Sequence, residues 1–250
     1  MFSYQNSKTV ICEYIWIGGN GEIRSKTKVL KNFVRNDPFP EWNFDGSSTG
    51  QAQSDGNTEV ILKPVFFCSN PLRKKTHGNV ENLLVLCETY DNDGNPLPTN
   101  HRYNSAKLFE SIEDKECWFG LEQEYFICNK HFKCENNGSH YCGKTNNYNE
   151  RVIVEEHLRC CIEAGLNISG INAEVATSQW EFQIGPSVGI DAADELIIAR
   201  YLLECIAEKY LRKINYLPKI SEEANGSGCH INFSTNEMRS ENGYEKIVEC

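Results

Sequence analysis

Four glutamates and one histidine are the residues of this sequence best placed to do chemistry. Glu122 and Glu124 stand two positions apart in CWFGLEQEYFIC, an apolar and aromatic stretch, and residues at i and i+2 of a strand share one face. Two carboxylates side by side in such a setting repel each other, and they protonate or disrupt the fold unless a cation lies between them. Taken alone, a Glu-x-Glu is more often an edge strand with both acids in solvent. Glu174 in INAEV and Glu181 in QWEFQIG give the pair company, since strands of that composition seldom bury acids without a compensating cation. With His230 in NGSGCHINFS the set is rich in oxygen and poor in nitrogen, which selects Mg²⁺ or Mn²⁺ over zinc. His230 by itself reads more readily as a structural histidine. Cys229 beside it points to the opposite face if the segment is a strand.

Two glycine-bearing turns accompany these residues. NGSG, just before Cys229 and His230, is a flexible turn whose backbone can approach a ligand closely, and a plain turn is the simpler account of it. DGSSTG, from Asp45 to Gly50, is either an Asx-type turn or a loop aimed at a ligand.

The elements that must position these groups fall into two regions. From Val10 to Leu30 two β-rich runs flank a Gly-Gly-Asn-Gly turn, a hairpin signal. WNFDGSSTGQAQSDG is too rich in Gly, Ser and Asp for a helix, and EVILKPVFF and NLLVLCETY read as buried strands. Residues 1–92 thus form a small β-rich unit, and 93–250 a second unit in which strands alternate with helices. A helix starts near Asn100, CWFGLEQEYFIC is a strand, and ERVIVEEHLRCCIEAG is a helix stopped by Gly165. ISGINAEV and SQWEFQIG make a hairpin, residues 191–214 carry apolar side chains at helical spacing, and HINFST is another strand before NGYEKIVEC turns helical. The Asn-rich stretch 136–149 reads as a loop.

Composition narrows the function classes. The 250 residues hold 25 Lys and Arg against 35 Asp and Glu, a formal net charge of −10. A partner rich in phosphates or an anionic membrane surface wants the opposite sign, so nucleic acid and membrane fall away. At 40% hydrophobic and 11% aromatic the chain has the balance of a globular protein with a sizeable core. The start has no signal-peptide pattern, and no stretch approaches a membrane span. A soluble, cytoplasmic protein is expected. The 12 cysteines are scattered without a Cys-x-x-Cys pair, which reads as free thiols in a reducing compartment.

In order along the chain, YIWI (14–17), PEWNFDGSSTGQA (40–52), PTNHR (98–102), WFGLEQEY (118–125), YCG (141–143), AGLNISGINAEV, QWEFQIGPSVGI (179–190) and NGSGCHINFST (225–235) closely resemble glutamine synthetase of the eukaryotic type. The resemblance runs almost end to end. It implies an α+β fold, with a small N-terminal β-grasp domain followed by a catalytic domain built on a curved antiparallel sheet with helices. It implies homo-oligomeric rings whose active sites lie between subunits. The implied reaction joins ammonium to L-glutamate with ATP as co-substrate, through γ-glutamyl phosphate, with Mg²⁺ or Mn²⁺ as cofactor.

Carried over residue by residue, the resemblance makes Glu124, Glu174 and Glu181 ligands of one metal, and Glu122 and His230 two ligands of a second. Asp45 becomes the catalytic residue that binds ammonium and takes its proton, acting on a neighbouring subunit's site. Asn225 and Gly226 correspond to the glutamate-binding turn. The run Glu181, Phe182, Gln183, Ile184, Gly185 and Pro186, together with Asn232, Phe233 and Ser234, corresponds to segments that contact the nucleotide.

The match departs from the family at Glu223 and Ala224, where an Asn-Trp pair is usual, and in KHFKCENNGSH, a reduced form of a longer Gly-, Pro- and Trp-rich loop. The family also continues well past the position of Cys250, carrying there a third ligand of the second metal, phosphate-binding arginines and a flap glutamate. The expectation is an incomplete catalytic domain. The alternative is a catalytically inactive relative acting as a structural or regulatory metal-binding subunit; a ligase for another amine is a minor third reading.

Overall fold

The computed structural model describes residues 8–33, 37–52, 56–73, 80–129, 140–144 and 148–250. The Asn-rich stretch 136–149 and the segment KHFKCENNGSH lie largely outside them. The chain divides into two compact units, Met1–Lys107 and Leu108–Cys250. The division falls later than the expected 92/93 because the chain after the first sheet folds back onto it. Leu97 N–H donates to the Thr89 carbonyl at 3.1 Å, Asn100 Nδ2 donates to the same carbonyl at 3.2 Å, and Arg102 pairs with Glu88 at 2.7 Å.

The first unit is a five-stranded mixed sheet. Its strands are β1 (Lys8–Ile17), β2 (Ile23–Phe33), β3 (Trp42–Asp45), β4 (Glu59–Ser69) and β5 (Val80–Tyr90), in spatial order β2-β1-β5-β4-β3. The expected hairpin is β1–β2, antiparallel from Ile17↔Ile23 to Lys8↔Phe33, whereas β1 and β5 run parallel. Period-2 alternation sends Val10, Cys12, Tyr14 and Trp16 to one face, where they pack with Leu62, Leu83, Val85 and Cys87. Phe44 stacks on Trp16 at 4.6 Å and Trp42 meets Tyr14 edge-on at 5.6 Å. Those two contacts explain why a stretch read only as non-helical starts as strand β3.

After α1 (His101–Ser111), the second unit is built on β6 (Trp118–Cys128), α2 (Tyr148–Ala164), β7 (Ile168–Ala173), β8 (Gln179–Val188), α3 (Asp191–Lys209), β9 (Lys213–Asn215), β10 (Cys229–Ser234) and α4 (Gly243–Val248). Its sheet is antiparallel throughout, ordered β10-β6-β8-β7, with β9 also paired to β6. Helix α2 packs on α3 and β7, and α3 packs on β8, β9 and β6. Trp180, Tyr125, Phe182, Ile184, Ile153, Ile198, Leu202 and Leu203 are buried in this unit's core. The helical pattern of 191–214 is cut short: Leu211 takes φ 56° and Arg212 N–H bonds back to the Ala207 carbonyl at 2.8 Å. Residues 213–215 then leave as β9. Gly165 ends α2 as expected, at φ 85°. Among the described residues ten cysteines are free thiols and Cys128 is disulfide-bonded, a departure from the all-thiol expectation.

Candidate active site

Strand register gathers the acids. Across β6 and β8, Glu122 faces Gln183 and Glu124 faces Glu181; across β10 and β6, His230 faces Glu122; across β7 and β8, Asn172 faces Glu181. Cross-strand partners share a face, so Glu122, Glu124, Glu181, His230, Asn172, Gln179 and Gln183 all line one side of the sheet. The intervening residues Gln123, Tyr125, Phe182 and Ile184 turn to the other side, where Gln123 accepts from Arg200 Nε of α3 at 2.8 Å. Cys229 pairs with Gln123 and so faces away from the acids, as its parity predicted. Glu174 follows the end of β7, and its N–H donates to the Gln179 carbonyl at 2.9 Å.

Each acid is held by a neutral donor. Glu124 Oε2 accepts from Gly228 N–H and from Gln179 Nε2, both at 3.2 Å. Glu122 Oε1 accepts from Asn232 Nδ2 at 2.5 Å, Glu174 Oε1 accepts from Asn172 Nδ2 at 3.0 Å, and Glu181 Oε1 accepts from Gln183 Nε2. Gln183 Nε2 also donates to Asn172 Oδ1 at 2.7 Å. His230 Nδ1 lies 3.8 Å from both Glu122 Oε2 and Glu124 Oε1.

The electrostatics are those of an undercompensated anionic face. Burial pushes the Glu124 carboxyl up; Gly228 and His230 pull it back, and Glu181 and Glu122 push it up further. Glu181 is raised by burial and by Glu174 and Glu122, against the Gln183 hydrogen bond. Glu181 is 8% exposed, too buried for water to screen it, and opposing Glu124 directly across the strands destabilises both charges. Among the described residues no three His, Cys, Asp or Glu groups converge as a ready ligand cluster. The like-charged carboxylates are turned aside onto amides. The donor set itself, several hard oxygens with one imidazole on one sheet face, fits a hard divalent cation.

The turn preceding β10 is tied to the same face. Gly226 bridges to Lys219, Ser227 N–H donates to the Pro218 carbonyl at 2.9 Å, and Lys219 Nζ donates to the Ala224 carbonyl at 2.5 Å. Asn225 is half-buried between buried Ala224 and exposed Gly226, while Glu223 is exposed. In the other candidate segments alternation divides the roles. Phe182 and Ile184 are buried on the helix side, so their side chains offer nothing to a ligand on the acid face, leaving Glu181 and Gln183. Gly185 has φ 101°, and a Cβ there would meet the Phe119 carbonyl oxygen at 2.4 Å; only glycine permits this approach of β8 to β6. Pro186, Asn232 and Phe233 are exposed, and Ser234 accepts from Arg239 at 2.9 Å.

Asp45 belongs to the first unit. Its carboxylate accepts from Ser47 N–H at 3.1 Å and from the Ser47 and Ser48 hydroxyls at 2.7 Å, capping a 3₁₀ turn over Gly46–Thr49. Hydrogen bonds from Ser48, Ser47 and Thr58 hold it down to about 2. The turn is anchored by Gly19 N–H donating to the Thr49 carbonyl at 2.9 Å. DGSSTG is therefore an Asx-type turn that keeps a charged carboxylate exposed. Gly228 belongs to the NGSG turn singled out from sequence, but Asn172 and Gln179, which also hold the acids, were not. Their signal was the spacing Gln179, Glu181, Gln183, one face of a strand carrying amide, acid, amide.

An antiparallel sheet backed by two helices, with acids along its other face, defines an α+β fold. Residues 102–246 match the family described as glutamine synthetase, catalytic domain. The chain is 48% identical over 262 residues to a putative glutamine synthetase of Acanthamoeba polyphaga mimivirus, covering 99% of this chain and 72% of that one. It is 45% identical over 253 residues to glutamine synthetase of Saccharomyces cerevisiae, covering 96% and 67%, and 46% identical over 258 residues to glutamine synthetase cytosolic isozyme 2 of Glycine max, covering 96% and 70%. Among solved structures, Plasmodium falciparum glutamine synthetase aligns with a TM-score of 0.67 at 17% identity, covering 96% of this chain and 52% of that one. A GmaS/ADP complex aligns with a TM-score of 0.71 at 15% identity, covering 90% and 53%; the chain thus spans about half the length of these solved chains. The chain belongs to the glutamine synthetase family. No helix among the described residues is long and apolar enough to cross a membrane.

Proposed function

We propose that this acid face serves the ATP-dependent ligation of ammonia to L-glutamate, giving glutamine through γ-glutamyl phosphate. The observation that carries the reading is the register of β6, β8 and β10, which aligns Glu122, Glu124, Glu181 and His230 on one face in a member of this family. The reaction sets an anionic carboxylate against an anionic nucleotide, and bound Mg²⁺ or Mn²⁺ screens that repulsion. Glu124, Glu174 and Glu181 would hold one cation, and Glu122 and His230 would supply ligands to a second. Asn225 and Gly226 bind glutamate in this reading; Glu181, Gln183 and Pro186, with Asn232 to Ser234, flank the nucleotide. Asp45, held down to about 2, is a weak base, so attraction of the ammonium cation is the role its chemistry favours over proton uptake.

The protein would act in the cytoplasm as a homo-oligomeric ring, as the family resemblance implies. The catalytic-domain match and the relatives named glutamine synthetase favour the ligase over an inactive metal-binding relative. Calorimetric titration with Mn²⁺ tests the site: Glu124→Gln should weaken binding about 10-fold or more, as loss of support around a metal commonly does. Cys229→Ser, on the opposite face, should change it less than about 2-fold. Equal effects of the two would end the metal-site reading.

A further inference from the structure

We propose that Gln179 is a positioning residue that couples the Glu124 carboxylate to the backbone of the Asn225–Gly226 turn, so that cation occupancy and the order of that turn rise together. The inference rests on the reading of the site just given and deepens it.

Gln179 opens β8 and is 1% exposed. Its Oε1 accepts from Ala176 N–H at 3.3 Å, which fixes the amide with its nitrogen toward the site. Nε2 then spends both hydrogens: one on the Gly226 carbonyl at 2.8 Å, the other on Glu124 Oε2 at 3.2 Å. Glu124 Oε2 is also held by Gly228 N–H, while Glu124 N–H donates to the Gly228 carbonyl at 3.0 Å. One oxygen of the carboxylate is thereby committed to the turn, and the other, Oε1, is left facing His230 at 3.8 Å.

A charged acceptor draws more from a donor than a neutral one does. A cation that pulls on Glu124 therefore changes the pull that Gln179 exerts on the Gly226 carbonyl, and an ordered turn in return orients Glu124. Linkage makes the effect reciprocal.

The Gly226 carbonyl shares a peptide group with the Ser227 N–H, which donates to the Pro218 carbonyl at 2.9 Å, so hydrogen exchange at Ser227 reports on the order of this turn. The experiment measures that exchange in the protein with and without saturating Mn²⁺, for wild type and Gln179→Met, alongside Mn²⁺ affinity by calorimetry. Wild type should show Mn²⁺ slowing exchange by about 5-fold or more, the lower range of site-to-site coupling. Gln179→Met should still bind Mn²⁺ but with a response under about 2-fold. Gln179→Leu also removes both donors without adding a charge beside Glu124, so it substitutes if the Met variant does not fold, with the same loss expected. Equal Mn²⁺ responses in wild type and variant would overturn the coupling role, as would a wild type that binds Mn²⁺ with no change at Ser227. A wild type that binds no Mn²⁺ would instead overturn the metal-site reading, and this role with it.

Discussion

Acidification should loosen the second unit through His157. This histidine of α2 is 0% exposed, and its Nε2–H donates to the Ala199 carbonyl of α3 at 3.0 Å, tying the two helices together. Its ring packs edge-on against Phe182 at 4.9 Å, and Nδ1 meets no hydrogen-bond partner among the described residues. A second proton would go onto Nδ1 and leave a cation in apolar surroundings, so burial pushes the imidazole down from 6.5 to about 4. The unfolded chain then takes the proton first. Stability tied to the neutral ring is complete above the unfolded value and is lost as pH falls toward the folded one. Between pH 7.5 and pH 5 that loss is about 2 kcal/mol from this group alone. Urea unfolding of wild type and His157→Gln at both pH values isolates it, because all other carboxylates and histidines titrate in both proteins. Wild type should lose about 2 kcal/mol more than the variant over this interval, although the variant starts from a lower stability. Equal losses would show that His157 is not buried as a neutral ring.

Two further outcomes concern the first unit. Gly46→Ala places a Cβ 2.5 Å from Val60 Cγ2 and 3.1 Å from the Thr58 carbonyl oxygen, whereas a Cβ at Gly56 meets nothing within 4 Å. The former should lower stability by about 1 to 3 kcal/mol and the latter barely change it, by thermal unfolding; equal melting points would contradict the close packing of the Asp45 turn. For Glu13, burial raises the carboxyl, but hydrogen bonds from Thr27, Arg73 and Ser25 outweigh it and leave the group lowered. Its contribution is therefore present above the ordinary carboxylate range and lost as pH falls through the lowered value. Arg73→Met should cost about 1 kcal/mol near pH 7, a modest figure because the arginine is partly exposed, and the gap should close in acid. A gap that stays constant down to pH 2 would assign the loss to packing.

How much of this was legible depended on whether the signal was local. The acids of β6 and β8 and the histidine of β10 stood in runs whose alternation already announced a strand, so their shared face followed from parity. The register that sets Glu124 opposite Glu181 is a long-range pairing, and no local pattern encodes it. Strand β9 was hidden because Leu211 and Ile214 continue an apolar helical rhythm; the turn at Leu211 and the pairing with β6 override it. The nucleotide segment was read as a block, but alternation puts Phe182 and Ile184 in the core. Gln179 and Asn172 went unremarked because an amide in a strand carries no charge signature. Their meaning lies in which carboxylate they meet.

The parallel pairing of β1 with β5 has a consequence for biosynthesis. Thr9 lies beside Val80, and β1 is flanked by β2 on one side and β5 on the other. On a ribosome, β1 and β2 are complete long before the strand that fills the centre of their sheet. At about 5 to 20 residues per second, the hairpin waits some 3 to 12 s with one edge open. During that interval the apolar row Val10, Cys12, Tyr14 and Trp16 lacks the Leu83, Val85 and Cys87 it will pack against. The nascent chain is therefore most in need of chaperone cover over this span of translation, and synonymous codons that slow decoding between β2 and β5 would lengthen the exposure without altering a residue.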